Sequence, residues 1–254
     1  MIELKQIGCT FKQGTFFAKH TVAVSEVDMV FEKGRRYAIV GESGSGKTTL
    51  ARIIAGLQRP TSGALLVEGK LMYQNPKKMK GHFKTVQLIS QDSLSALDPK
   101  MSIGQSIEEP LSCFFHLNKQ QRNQECEMLM QKCHLPLGYY KKLPHELSGG
   151  EQKRVAIARA LAAKPSYLIF DEATNGFDLP LRKKIIDEIV QLQTTIGFTS
   201  IFITHDMELA MIVADEILVM KDSCLIEKVG YKAKQWTFTQ DYSKRLLAAS
   251  GYNG

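Results

Sequence analysis

The chain opens on alternation. In residues 2–11 ("IELKQIGCTF") and 23–31 ("AVSEVDMVF") apolar and polar positions take turns, the period of strands with one buried face. After a turn at Glu32-Lys33-Gly34, "RRYAIVG" is a short apolar strand that runs into a glycine-rich loop. "GKTTLARIIAGL" has helical spacing and stops at Gly56, with Pro60 just beyond. "TSGALLVEGK" predicts a turn and a strand, and "KTVQLISQ" predicts another. From about Asp92 to Leu147 polar helix formers with spaced apolar residues take over, as in "NKQQRNQECEMLMQKCHL". That change predicts a helical lobe inserted into a sheet. "EQKRVAIARALAAKP" is a helix stopped by Pro165, and "SYLIFDE" is a buried strand. A helix "LRKKIIDEIVQLQTTI", a strand "SIFITH", a helix "DMELAMIVA" and a strand "EILVMKD" follow. Continuous apolar strands alternating with helices predict an α/β fold whose sheet is mostly parallel and covered on both faces. There is no internal repeat and no low-complexity linker.

Composition narrows this little. The 254 residues are 44% hydrophobic and 23% charged, enough for a sizeable core in one large domain or a domain with a lobe. No apolar run approaches bilayer length, and "MIELKQIGCTF" lacks the apolar stretch and cleavage pattern of a secretory signal, so a cytosolic protein is expected. The net charge of +7 permits a polyanionic partner, but clusters such as Lys77-Lys78-Met79-Lys80 read first as a solvated face. Cys9, Cys113, Cys126, Cys133 and Cys224 include no CxxC pair. The spacing of Cys113, His116, Cys126, Cys133 and His134 matches no common zinc module, so reduced thiols are expected.

Chemistry concentrates at five places. Gly41-Glu42-Ser43-Gly44-Ser45-Gly46-Lys47-Thr48 fits G-x-x-x-x-G-K-[ST] after a strand and before a helix, with Thr49 next. Its backbone N–H groups and helix N-terminus suit phosphates, Lys47 the β- and γ-phosphates, and the Thr48 hydroxyl Mg²⁺. "YLIFDE" brings Asp171 to the carboxyl end of a buried strand, placed to hold the Mg²⁺ shell. Glu172 follows as the candidate to polarise an attacking water. His205 ends "SIFITH" and is a candidate for the γ-phosphate and that water; its bland alternative is a capping or packing role. Gln91 ends "VQLISQ", where an amide can ligate Mg²⁺ or position water. In "LSGGEQKR", Ser148 is an N-cap candidate, and Gly149 and Gly150 let backbone donors approach an anion. If the lobe projects from the core, this second anion-seeking helix start serves ATP held by another chain. Two half-sites per chain then imply a head-to-tail pair.

Taken in order, these motifs make the chain resemble an ABC-transporter ATPase subunit over nearly its whole length. The resemblance implies a Walker A loop at Gly41–Thr48, a Q-loop at Gln91 and a signature at Leu147-Ser148-Gly149-Gly150-Glu151. It implies Walker B at Tyr167–Asp171 with catalytic Glu172, and an H-loop at His205. The implied fold is a P-loop NTPase (RecA-like) core with a mixed sheet, an antiparallel β subdomain and an inserted α-helical subdomain. Core and β subdomain would take 1–91 and 151–230, the helical subdomain 92–150, and a C-terminal helical tail 231–254. An aromatic ring stacks on adenine in this family; Phe11 fits that place, with Phe16 and Phe17 as rivals. Residues 175–178 replace the usual Ser-Ala-Leu-Asp of the D-loop with Asn175-Gly176-Phe177-Asp178, keeping Asp178 for the nucleotide interface. Glu151 stands where Gln is commoner.

"SQDSLSALDPKMSIGQSIEEPL" and "DYSKRLLAAS" resemble the oligopeptide/dipeptide/nickel importer branch. That implies an ATPase using ATP and Mg²⁺ at the cytoplasmic face of the membrane. The implied partners are two permease subunits, a second ATPase subunit (identical or homologous) and, indirectly, an extracytoplasmic substrate-binding protein. Peptides, nickel or metal chelates are the cargo classes. The rival readings are a soluble ABC-type ATPase acting on nucleic acid or the ribosome, and a P-loop kinase or GTPase. No coiled-coil insertion, zinc hook or tandem cassette supports the former, and the signature and His205 oppose the latter. No nucleic-acid partner is therefore expected.

Overall fold

A computed structural model describes residues 1–13, 19–73, 76–92, 97–173, 179–233 and 235–250. Phe16, Phe17 and Asn175, Gly176, Phe177 and Asp178 lie outside the described residues. The chain forms two compact units, Met1–Phe83 with Thr199–Gly254, and Lys84–Phe198.

In the first unit, β1 (Ile2–Gln13) pairs antiparallel with β2 (Lys19–Phe31) on one side and β4 (Ser62–Val67) on the other; β5 (Lys70–Leu71) extends β4. The apolar parity of β1 changes midway: Ile2 and Leu4 are buried, then Ile7 and Cys9. A two-residue period tolerates that change only if one residue is added at the ladder. Gln6, at φ 51°, is that residue, and its N–H donates to Asp28 Oδ1 at 2.9 Å. On β2 the change from Val24 to Val27 falls at Glu26, φ 46°.

A mixed sheet forms the rest of this unit. β3 (Arg36–Val40), buried from Tyr37 to Val40, runs parallel to both β8 (Thr199–Thr204) and β9 (Glu216–Lys221). β10 (Cys224–Gly230) returns antiparallel to β9 through Asp222 and Ser223, whose φ angles of 47° and 69° make a primed hairpin turn. The helix α1 (Lys47–Ile54) ends as its sequence predicts. Gly56, at φ 81°, sends its N–H to Ile53 O while Leu57 N–H reaches Arg52 O, a Schellman stop. α7 (Met207–Val213) starts on an Asp206 cap, and α8 (Asp241–Ala249) follows a segment held by Glu227, which accepts from the N–H and hydroxyl of Thr239.

The segment after β5, to which the hydrophobic pattern assigns no element, forms α2 (Pro76–Thr85). Its anchor is His82, 3% exposed, with Nε2 2.9 Å from Ile54 O at the end of α1 and no partner at Nδ1. Burial lowers the His82 pKa, so the fold holds the ring neutral. The unfolded chain then binds the proton more readily, so this contribution is present above about pH 6.5 and is lost as pH falls through the depressed folded value. Thermal melts from pH 7.5 to 5 will show a shallower acid loss in His82→Gln, which can still donate to Ile54 O, than in the wild type. Equal slopes would remove His82 as the cause.

In the second unit, β6 (Val86–Ile89) runs parallel to β7 (Tyr167–Asp171). Residues 97–150 hold α3 (Ile103–Phe114), α4 (Lys119–Lys132) and two short 3-10 turns, with no strand among the described residues. Reciprocal capping boxes start α3 (Ser102 with Gln105) and α4 (Asn118 with Gln121). Both helices pack on α5 (Gly149–Ala162), whose alanines allow close approach on several sides. α6 (Leu179–Ile196) is tied to α5 by a forked Arg154–Glu188 pair at 2.7 and 3.0 Å. Cys126 and Cys133 are core thiols, each pushed up to about 12 by burial. Among the described residues no helix is long and apolar enough to cross a membrane.

Candidate functional site

In the first unit, parallel pairing sets Val40 beside Thr204, so Gly41 and His205 leave the sheet at the same edge. The loop that begins at Gly41 cannot carry side chains at its close approaches. A Cβ at Gly41 would collide with Met220 O, and one at Gly46, which is at φ 98°, with Ala23 O. Gly46 is the N-cap of α1 and brings no side chain to its first turn, a helix start of the kind that suits an anion. Lys47 is 5% exposed, and its Nζ donates to Gly41 O and Glu42 O, both at 2.7 Å, and to Ser45 Oγ at 3.3 Å. The loop thus surrounds its own cation. That cation can reach a phosphate only by exchanging carbonyl oxygens for phosphate oxygens, which bind it more strongly.

Thr48 and Thr49 are half-buried in the first turn, Ser45 is buried, and Glu42, Ser43 and Gly44 face solvent. The Tyr242 hydroxyl, from α8, accepts the Glu42 N–H at 3.2 Å and fixes the loop from its C-terminal side. No sequence pattern pointed to Tyr242. Phe11 is 38% exposed and pairs with Thr21, two residues along β2 from the Ala23 carbonyl that abuts Gly46. His205 is exposed, next to Asp206, whose N–H donates to Thr204 Oγ1.

The second unit makes a similar edge. Ile89 pairs with Phe170, so Ser90-Gln91 and Asp171-Glu172 leave the sheet together. Asp171 is 8% exposed. Glu172 sits at φ 49°, a left-handed conformation that side-chain-bearing residues rarely take, so the strand turns sharply just where the carboxylate is presented. Gln91 is exposed.

Ser148 caps α5 in a full capping box. Its Oγ accepts from Glu151 N–H, while Glu151 Oε2 accepts from Ser148 N–H and from Ser148 Oγ–H, both at 2.8 Å. Tyr139 O–H adds a bond to Glu151 Oε1 at 2.9 Å. The Ser148 donors and then Tyr139 lower the Glu151 pKa, so a carboxylate stands at this helix start. Ser148 and Gly149 are exposed; Gly150 is half-buried, with room for a Cβ at 3.6 Å from Leu181.

One turn further, Lys153 is 1% exposed, and its Nζ donates to Ser90 O at 3.0 Å and Gln91 O at 3.4 Å. Burial lowers its pKa to about 8, against the opposing field of Asp92. The sequence held a signal for this residue. Lys153 lies four and eight residues before the buried Ile157 and Leu161, on the apolar stripe, where a lysine needs an explanation.

Each unit therefore gathers its own set: the glycine loop with His205 in one, and Gln91, Asp171, Glu172, Ser148 and Lys153 in the other. Comparison with known proteins gives the family. The family model described as ABC transporter matches residues 24–175. The chain is 35% identical to the dipeptide transport ATP-binding protein DppF of Escherichia coli, over 94% of this chain and 72% of that one. It is also 35% identical to the oligopeptide transport ATP-binding protein OppF of Haemophilus influenzae, over 98% of this chain and 77% of that one. A dimeric, post-hydrolysis ATP-binding cassette bound to ADP and Pi superposes with a TM-score of 0.82 at 26% identity, covering 92% of this chain and all of that one. On the strength of the loop, the strand-end carboxylates and these matches, the chain belongs to the ABC transporter family.

Proposed function

We propose that this chain is the ATP-binding and ATP-hydrolysing subunit of an importer, driving uptake of peptides through partner permease subunits. The observation that carries the proposal is the self-wrapped Lys47 loop at the edge of β3, in a chain whose peptide-transport relatives match it nearly end to end. In this reading Gly41–Thr49 binds the triphosphate, Phe11 stacks on adenine, and Glu172 accepts a proton from the attacking water. Water oxygen bonds to the γ-phosphorus as the bridge to ADP breaks, and phosphate leaves. His205 and Gln91 orient the γ-phosphate and the water. The Thr48 hydroxyl, the Asp171 carboxylate and the Gln91 amide are hard oxygen donors suited to Mg²⁺, which would neutralise phosphate charge. Ser148, Gly149, Gly150 and Glu151, with Asp178, face the nucleotide of a second ATPase subunit arranged head to tail.

ATP closes that pair and hydrolysis reopens it, because the nucleotide bridges two surfaces that otherwise have no partner. Residues 92–150 pass the motion to two permeases, which places the chain peripherally at the cytoplasmic face of the membrane. A substrate-binding protein outside would present the cargo. The dipeptide and oligopeptide relatives favour peptides over nickel or metal chelates, and transport over action on nucleic acid. The test is purification from detergent extracts, followed by ATPase assay of the assembled complex with candidate cargo. Co-purifying permeases and stimulation by peptide are expected. Recovery with ribosomes or nucleic acid, without permeases, would contradict the proposal.

A further inference from the structure

Among the described residues Lys153 is the least exposed charged side chain, at 1%. Placing an ammonium on the apolar stripe of a helix is costly unless its protons find acceptors. The acceptors it finds are two consecutive main-chain carbonyls, Ser90 O at 3.0 Å and Gln91 O at 3.4 Å, 63 and 62 residues away in sequence. Those carbonyls belong to the segment leaving β6, which the Ser90 hydroxyl bends further by donating to Asp92 O at 3.0 Å. Lys153 lies on α5 two residues after Glu151, whose carboxylate and Ser148 form the capping box of that helix. A single side chain therefore joins the backbone that presents Gln91 to the helix that presents Ser148. A main-chain carbonyl, unlike a side chain, cannot turn away without moving the residue that carries it, so the join constrains Gln91 itself.

We infer that Lys153 is a positioning residue. It fastens the Ser90–Gln91 backbone to the helix that starts at Ser148, so that the two segments keep one mutual placement through turnover. The inference rests on the proposed roles of Gln91 and Ser148 at ATP. A merely stabilising lysine would lower the melting temperature when replaced and leave turnover per folded molecule unchanged.

The test uses the transporter assembled with its permeases and partner cassette. Steady-state ATPase and thermal melts are compared for the wild type, Lys153→Arg, Lys153→Gln, Lys153→Met and Gln91→Ala. The expected kcat falls in the order wild type, Arg, Gln, Met, reaching about ten-fold in Lys153→Met, with KM for ATP within about two-fold throughout. Adding Lys153→Met to Gln91→Ala is expected to cost little further, because both act through one group. A kcat independent of the residue at 153 would overturn the inference. If Lys153→Met does not accumulate, the Arg-to-Gln difference decides on the same criterion. If Gln91→Ala alone is without effect, the catalytic reading of Gln91 falls; if Gln91→Ala slows turnover and the Lys153 series is flat, only the positioning role falls.

Discussion

Glu172→Gln will bind MgATP with affinity close to the wild type, yet turn it over at least about a hundred-fold more slowly. The substitution keeps the shape of the side chain and its sharp departure from β7, at φ 49°, but removes the oxygen charge that can take a proton from water. Because the loop before α1, and not Glu172, is the proposed holder of the phosphates, binding is expected to survive. On the proposed cycle, in which reopening depends on hydrolysis, closed pairs are expected to accumulate. Radiolabelled phosphate release and equilibrium nucleotide binding on the same preparation check both halves. Steady-state turnover near the wild-type rate would reject Glu172 as the base.

Ser148→Asp is expected to be comparably severe for turnover and nearly silent for nucleotide binding by the isolated chain. Aspartate caps helices as well as serine does, so α5 keeps its start and the fold is spared. It replaces a hydroxyl donor with a second negative charge beside the Glu151 carboxylate, at the place proposed to meet a neighbour's γ-phosphate. Hydrolysis by the assembled transporter should fall by about a hundred-fold or more. Loss of binding by the isolated chain would mean instead that Ser148 serves the site of its own chain.

The parts of the molecule legible in the sequence were those where local physics leaves one solution. The glycine loop declared itself because a strand, a run of small residues and Lys47 opening a helix serve few other purposes. Gly56 marked the end of α1 because a left-handed residue closes its last carbonyls. The ends of β7 at Asp171 and of β8 at Thr204, just before His205, followed from apolar runs that stop at polar residues. Other features depended on contacts distant in sequence. The turn into β10 uses Asp222 and Ser223 rather than an Asn-Gly or Asp-Gly pair, and only Val229 of that strand is buried, so neither turn chemistry nor alternation announced it. α2 is polar along most of its length and is seated by His82 on the end of α1. Tyr242 reaches Glu42 across two hundred residues, and nothing local to either position encodes that bond. Lys153 was visible as a charge on an apolar stripe, but its acceptors were not.

Whether two chains complete each catalytic pocket can be read out by photolabelling from the γ-phosphate. An ATP analogue carrying a photoreactive group there is bound to the assembled transporter, in which this chain carries Lys47→Ala, and the labelled peptides are mapped. Label is expected still to reach Leu147–Glu151 of this chain, delivered by nucleotide held on the neighbouring ATPase subunit. Label that disappears from Leu147–Glu151 with the loss of Lys47, while the neighbour still binds nucleotide, would place the signature at its own chain's site and contradict the account.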